Sequence, residues 1–283
     1  MDKEETEIIK EIKKKKELSG LEDHFIIKEL NLFFKRKPGF KAFLNQPRSE
    51  KYKRIIKAVR AELRRNYGLF RVGDDKARNK LVEEFKSRHN IETIKKILAT
   101  HSSTKERLDN YAEIYHRIFK ITGSPKVILD LGCGINPLSV IFMKTTNLSY
   151  FAYDINQKEI ELLNLFFNAF KSPNKEFKGK AEILDFKELN DLKRFPEADI
   201  ALLFKITDIV DKGKGHKRSE SLITKIPSKY MVVSFPTVTM SGKRMNFPRR
   251  RWIEWMCERL GYGFQSFEIT NEIFYVIRKN SKY

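Results

Sequence analysis

Cysteine occurs only twice, at Cys133 and Cys257, and glutamine three times. Two thiols cannot build a disulfide framework, so the composition points to a reduced, cytoplasmic setting. No apolar run approaches the roughly 18–20 residues that a membrane helix needs. The charged stretch MDKEETEIIKEIKKKKELSG has no signal-peptide core. Internal repeats are absent too. What is present suffices for a core: 283 residues, 41% hydrophobic and 12% aromatic, make one large domain or two modest ones and argue against disorder.

Acidic charge is in deficit. Against 57 Lys and Arg stand 37 Asp and Glu, a net charge of +20. A thermophile surface raises both signs together and does not produce such an imbalance. A polyanionic partner, nucleic acid above all, does explain it.

Two kinds of pattern divide the chain. Residues 1–104 carry 27 basic and 16 acidic residues and no strand-like run. EETEIIKEIKKKKE, YKRIIKAVRAELRRNYG and IETIKKILATHSS space apolar residues as helices do, which predicts a helical, basic, RNA-binding domain. Arg60, Arg64 and Arg65 lie on the polar face of the second of these and are candidate RNA contacts. Residues 105–283 begin with a helix ending at Gly123 and then alternate strand and helix. Strands are predicted at Val127–Leu131, SYFAYDI, AEILDF, DIALLFKI and YMVVSFPT. Helices are predicted at Pro137–Thr145, KEIELLNLFFNAF and RRRWIEWMCERLG, with a closing hairpin that turns near Asn271. The fold class is therefore α/β, a Rossmann-like parallel sheet with an antiparallel edge, preceded by a helical domain.

The turn after the first strand, DLGCGINPLS, decides the ligand. Gly132 and Gly134 permit close backbone approach, and Asp130 and Asp154 end the first two strands. The third glycine that would let a helix pack beneath a pyrophosphate is missing. Asn136 and Pro137 stand there instead, and proline suits the first helical position. This arrangement fits S-adenosylmethionine, a nucleoside with an amino-acid tail. Asp154 is placed for the ribose hydroxyls. Asp185 is placed either for the adenine amine or as a cap of the next helix, with Ile155 or Phe186 flanking the ring.

Over roughly residues 90–278, and most specifically in HSSTKERLDNYAEIYHRIFKITGSPKVILDLGCGINPLS, the chain resembles the aminoglycoside-resistance small-subunit ribosomal RNA guanine-N7 methyltransferases. ALLFKITDIVD and VVSFPT resemble that family's fourth- and fifth-strand segments. The resemblance implies that His101, Ser103 and Arg107 approach the cofactor, with Arg107 able to clamp its carboxylate. The same HSSTKER also reads as a helix start with a capping box to Glu106. SFPTVTMSGKRMNFPRRR departs from the family's Ser-Phe-Pro-Thr-x-Ser-Leu-Gly-Gly-Arg. The lysine- and glutamate-rich charge suggests a housekeeping relative, archaeal or thermophilic.

A guanine N7 lone pair needs no general base. No nucleophilic cysteine follows the fourth or fifth strand, which argues against methylation at cytosine C5. The Asn/Asp-Pro-Pro-aromatic turn of amine methyltransferases is also missing, with FKITD in its place. Lys205, Asp208 and Phe235 are the candidates for positioning the base. Residues 212–251 hold eleven basic residues and one acid. That bias marks Lys214, Lys217, Arg218, Lys243, Arg244, Arg249, Arg250 and Arg251 as RNA contacts at the mouth of the site. Phe235, Phe247 and Trp252 are candidates to stack a displaced base, while Trp252 and Trp255 equally suit helix anchors. The expected activity is methylation of small-subunit ribosomal RNA, free or in the assembled subunit, by a monomer that uses S-adenosylmethionine and no metal. Two readings stay open beside guanine N7: cytidine N4 methylation, and a non-catalytic RNA-binding assembly protein.

Overall fold

Amphipathic spacing makes the first third of the chain helical, as the computed structural model shows. The structure describes residues 3–67, 75–170, 176–185, 195–211, 215–239 and 242–280. Helices α1 (Lys3–Lys13), α2 (Asp23–Arg36) and α3 (Glu50–Tyr67) pack Ile8, Ile12, Ile26, Leu30, Ile55 and Val59 into one small core. Helices α4 (Asp75–Arg88) and α5 (Ile91–Leu98) follow. Their Phe85, Ile94, Ile97 and Leu98 belong to a second and larger core, that of the sheet. The apolar packing thus changes partner before residue 104. Helix α6 (Ser102–Arg107) and helix α7 (Tyr111–Thr122) lead into the sheet, and α7 stops at Gly123 with φ 80°.

Strands β1 (Val127–Leu131), β2 (Leu148–Asp154), β3 (Phe177–Ile183), β4 (Ala198–Phe204), β5 (Ser228–Pro236), β6 (Gly263–Ile269) and β7 (Glu272–Arg278) form one sheet, ordered β3-β2-β1-β4-β5-β7-β6. The first five are parallel, and the β6–β7 hairpin enters antiparallel with β7 beside β5. Helices α8 (Gln157–Ala169), α9 (Thr207–Val210), α10 (Lys217–Lys225) and α11 (Arg251–Leu260) connect the strands. The order reverses at β1, so the carboxyl ends of β1, β2 and β4 open the crevice where α/β sheets bind ligands. No described helix is long and apolar enough to cross a membrane.

Three local expectations need correction. The helix expected over Pro137–Thr145 is a 3-10 helix, Asn136–Phe142, after which Met143 is extended. The Ser139 hydroxyl donates to the Asn136 carbonyl at 2.6 Å, competing for the acceptor that an α-helix would use. The third strand begins at Phe177 and ends before Asp185, because its register runs from Leu148↔Phe177 to Asp154↔Ile183. Gly179 within it leaves room for the Phe167 ring of α8. No capping box forms at α6. His101 is its N-cap, its side chain does not cap the helix, and Glu106 turns to Lys205 instead.

Candidate active site

The crevice is lined by three groups of residues: Gly132, Cys133, Gly134 and Asn136 after β1, Asp154 to Asn156 after β2, and Phe204 to Ile206 with Ile209 after β4. His101, Ser103, Thr104 and Arg107 of the α6 segment form its roof. Both glycines are obligatory here. Gly132 has φ 68° and an added Cβ would lie 2.7 Å from the Ile206 side chain. Gly134 has φ 51° and its Cβ would meet the His101 ring at 3.0 Å.

The two strand-end acids hold the loop in place. Asp154 accepts from the Gly134 N–H at 2.8 Å and, through its other oxygen, from the Asn156 N–H at 2.9 Å. Asp130 accepts from the Asn136 amide at 2.8 Å and from the Tyr150 hydroxyl at 2.7 Å, and Tyr111 in turn donates to Asn136 at 2.9 Å. Burial raises both carboxyls to about 6, with these hydrogen bonds pulling the other way. Both are ionised at neutral pH.

A buried ion cluster closes the far wall. Arg107 makes a bidentate pair with Glu272, the first residue of β7, at 2.8 and 2.9 Å. The guanidinium also lies over the Phe204 ring at 4.8 Å. Lys205 reaches Glu272 at 3.4 Å and pairs with Glu106 as well. Its backbone sits in the left-handed region at φ 56°, donating to Ser234. Burial would raise Glu272, but Arg107 and Lys205 outweigh it and hold the carboxyl low. Arg107, expected to face a ligand carboxylate, borders the crevice with its fork already engaged by an internal one.

The helical bundle supplies the last wall. Glu17 and Leu21 line the crevice, and Ile155 packs into the bundle's own core. Gln157 N–H donates to the Gly20 carbonyl at 2.9 Å, Leu21 bridges to Asn156, and Gly20 leaves no room for a Cβ against the Asn156 side chain. Glu159 of α8, at the same end, is held in a buried bidentate pair by Arg78 of α4. Asp185 stands outside the crevice lining and accepts from Lys28 of α2 at 3.2 Å. Sequence reasoning missed Glu17, Leu21, Asn156 and Glu272. None falls in a motif, and Leu21 and Glu272 carry only the apolar or strand patterning of their segments.

The profile described as ribosomal RNA methyltransferase (FmrO) matches residues 88–276 of this chain. The chain belongs to the FmrO ribosomal RNA methyltransferase family. Among its relatives, the 16S rRNA (guanine(1405)-N(7))-methyltransferase of Proteus mirabilis is 25% identical over 246 residues, covering 80% of this chain and 85% of that one. The enzyme of the same description from Frankia casuarinae is 28% identical over 189 residues, covering 66% and 64%. Among solved structures, the 16S rRNA methyltransferase RmtF in complex with S-adenosyl-L-homocysteine aligns with TM-score 0.72 and 25% identity over 99% of this chain and 100% of that one. The methylase RmtB shares the fold at TM-score 0.68 and 22% identity, over 98% of each chain.

Of the residues expected to position a base in this FmrO-family chain, only Lys205 borders the crevice; Asp208 is exposed on α9, beside it but outside its lining. Phe235 cannot stack a base in this arrangement. It is fully buried, edge-on to Trp252 and Tyr275, because its position on β5 turns it into the core. Trp252 is half-buried and stacks on His216 at 4.3 Å, whereas Phe247 (83% exposed) and Trp255 (63%) face solvent. The two cysteines are buried, and burial pushes Cys257 up to about 12.

The basic residues fall into two groups. Lys217, Arg218, Lys243 and Arg251 are exposed, as is Arg244, which pairs with Glu268 at 3.0 Å. Arg249 pairs with Glu254 at 2.8 Å. Arg250 is tucked in, donating to the Pro236 and Pro248 carbonyls at 3.3 Å and lying over Phe235 at 5.0 Å. On α3, Arg60 donates to the Ile12 carbonyl at 3.3 Å and Arg64 to Glu17 at 2.9 Å. Lys214, Phe186 and the Arg65 side chain lie outside the described residues.

Proposed function

We propose that this chain is an S-adenosylmethionine-dependent methyltransferase that modifies guanine N7 in the decoding region of small-subunit ribosomal RNA. One observation carries the cofactor. On a chain of net charge +20, the crevice is lined by the acids Asp130 and Asp154, beside Glu17 and Glu159 held by Arg64 and Arg78, while its bases Arg107 and Lys205 are held by Glu272. Such a lining opposes a pyrophosphate and suits a cation. S-adenosylmethionine, when bound, supplies a methyl group on a sulfonium. Gly132, Gly134, Asp154 and Ile155 are the residues to hold its nucleoside, and His101, Ser103 and Arg107 border the place for its amino-acid tail.

The chain's own contribution is positional. Asp154 fixes the loop through Gly134, Glu272 fixes Arg107, and the bundle closes one side against water. Lys205, whose ammonium is held at the crevice by Glu106 and Glu272, is the residue to meet the RNA. Guanine N7 offers its lone pair without losing a proton, and this agrees with a crevice whose carboxylates are committed to the loop or to internal arginines. Residues 1–104, of which α1–α3 form their own core and α4 and α5 pack on the sheet, and the exposed Lys217, Arg218, Lys243, Arg244 and Arg251 are the proposed RNA contacts. The names of the relatives support the target. The protein acts as a cytoplasmic monomer in this reading.

Incubation of the purified protein with methyl-labelled cofactor and either naked 16S rRNA or small subunits tests the assignment. The expected product is 7-methylguanine, read by borohydride and aniline strand scission and by nucleoside mass spectrometry. Label on cytidine N4, or none on either substrate, defeats it.

A further inference from the structure

The N-terminal bundle brings a carboxylate to the cofactor crevice. Leu18 is fully buried in the bundle core and anchors the short 3-10 turn Lys16–Leu18. Its neighbour Glu17 lines the crevice. One turn later Leu21 bridges to Asn156, and Ile155 packs into the same bundle core. Glu17 therefore belongs with the residues that follow β2, at the nucleoside end, and not with His101, Ser103 and Arg107 at the tail end.

Arg64 of α3 orients this carboxylate. Its Nε donates to Glu17 Oε1 at 2.9 Å, and its Nη2 donates to the same oxygen. Among the described residues no other side chain donates to Oε2. Burial would raise the carboxyl, but Arg64 and the residue's own N–H outweigh it and hold it low. Glu17 is thus ionised at neutral pH and acts as an acceptor alone.

The other acids at or near the crevice are already engaged. Asp154 has one N–H on each oxygen, and Arg78 takes both oxygens of Glu159. Asp130, 1% exposed, accepts from Asn136 and Tyr150. Asp185, which the strand pattern suggests for the adenine amine, lies outside the lining and pairs with Lys28 at 3.2 Å. Adenine carries one exocyclic amine, a donor that is costly to desolvate without an acceptor.

We propose that Glu17 is a specificity-determining residue of the cofactor site, its Oε2 accepting from the adenine amine while Arg64 holds Oε1. The assignment rests on the S-adenosylmethionine reading above. It makes the helical bundle part of the surface that recognises the cofactor. It also sets adenine apart from hypoxanthine, which has a carbonyl in place of the amine and would bring two acceptors face to face.

Titration calorimetry of the full chain with S-adenosylhomocysteine and with S-inosylhomocysteine tests the proposal. Wild type should prefer the adenosyl compound roughly tenfold or more, the loss expected when a charged acceptor meets no donor. Glu17→Gln presents an amide that can donate to the carbonyl, so the preference should shrink to roughly threefold or less, or reverse. Glu17→Ala removes the acceptor and the repulsion together and should narrow the preference as well; it decides the matter if circular dichroism shows Glu17→Gln unfolded. Asp185→Asn should leave the ratio unchanged. A folded Glu17 variant that binds both compounds more weakly at the wild-type ratio has lost only structure, and that result overturns the proposal. So does a wild type without preference, or a ratio that moves in Asp185→Asn instead. Failure of wild type to bind S-adenosylhomocysteine defeats the cofactor reading itself, and this proposal with it.

Discussion

Gly20 is where the bundle meets the cofactor loop, and a single methyl group there tests how tightly the two are joined. In Gly20→Ala the new Cβ would lie 2.8 Å from Asn156 Cγ and nearer still to its amide oxygen. That oxygen caps α8, accepting from Lys158 N–H at 3.1 Å and Glu159 N–H at 3.4 Å, so it cannot swing away freely. Moving it forfeits a cap worth about 1 kcal/mol. Lifting Gly20 instead forfeits its bond from Gln157, also about 1 kcal/mol. Strain from overpacking adds about 1–3 kcal/mol. Either route costs about the same, so stability should fall by about 2–4 kcal/mol. Either route disturbs Asn156, whose N–H binds Asp154, and withdraws Leu21 from the crevice. Cofactor affinity should therefore fall by about 1–2 kcal/mol, or roughly 5- to 30-fold, taking one hydrogen bond and one apolar contact as lost. Titration calorimetry with S-adenosylhomocysteine at 25 °C reads this out. Gly39→Ala, where an added Cβ meets nothing within 4 Å, is the control and should change neither quantity. A folded Gly20→Ala protein with unchanged affinity would refute the claim that the bundle walls the crevice. The same reasoning predicts that removal of residues 1–104 weakens cofactor binding. Their loss would strip away Glu17, Leu21, His101, Ser103 and Thr104 together.

Other outcomes follow from the same geometry. Glu272→Ala leaves the Arg107 guanidinium buried without its partner and should cost about 3–5 kcal/mol in urea unfolding; a loss below about 1 kcal/mol would mean that the pair is not buried as described. Asp154, raised to about 6, holds the Gly134 and Asn156 N–H groups at full strength, one on each oxygen, only when ionised. As pH falls through 6 the carboxyl gains a proton and the loop loses its anchor. Cofactor affinity should then weaken towards tenfold per pH unit, and Asp154→Asn should be weak throughout with a shallower dependence. A wild-type affinity flat from pH 5 to 8 would contradict this. Arg250→Ala should lower thermal stability, through lost contacts to Phe235 and the proline carbonyls, and leave the salt dependence of RNA binding untouched. Arg251→Ala should do the reverse, flattening the log–log salt slope by about 0.7 if it neutralises one single-strand phosphate; the opposite pairing of effects would reassign both arginines.

Much of the fold was legible because it rests on local periodicity. Apolar runs at the predicted places became β1, β2, β4, β5 and the β6–β7 hairpin, and the 3.6-residue stripes became α1, α3, α5 and α7. The Gly132–Gly134 turn with Asp130 and Asp154 was readable for a stronger reason. Only glycine tolerates φ 68° and 51° with Ile206 and His101 pressed against it, so the residue type itself reports the geometry. The +20 charge and the missing third glycine together carried the reading to a methyl-donor fold acting on RNA.

What periodicity could not carry was pairing at long range. Arg107 and Glu272 are separated by 165 residues, Arg78 and Glu159 by 81, and Lys28 and Asp185 by 157. No spacing rule links such positions, and each arginine or lysine has the same composition whether it faces phosphate or a buried carboxylate. The tertiary structure therefore decided which cations are spent internally, turning Arg107, Arg250 and Arg60 inward and leaving Lys217, Lys243 and Arg251 in solvent. It also decided that Phe235 is core, since a strand residue points to one face or the other according to register against its neighbours. Local sterics wrote the loop that holds a nucleoside into the sequence. Burial and charge neutralisation, which depend on what the folded chain brings alongside, determined everything that surrounds it.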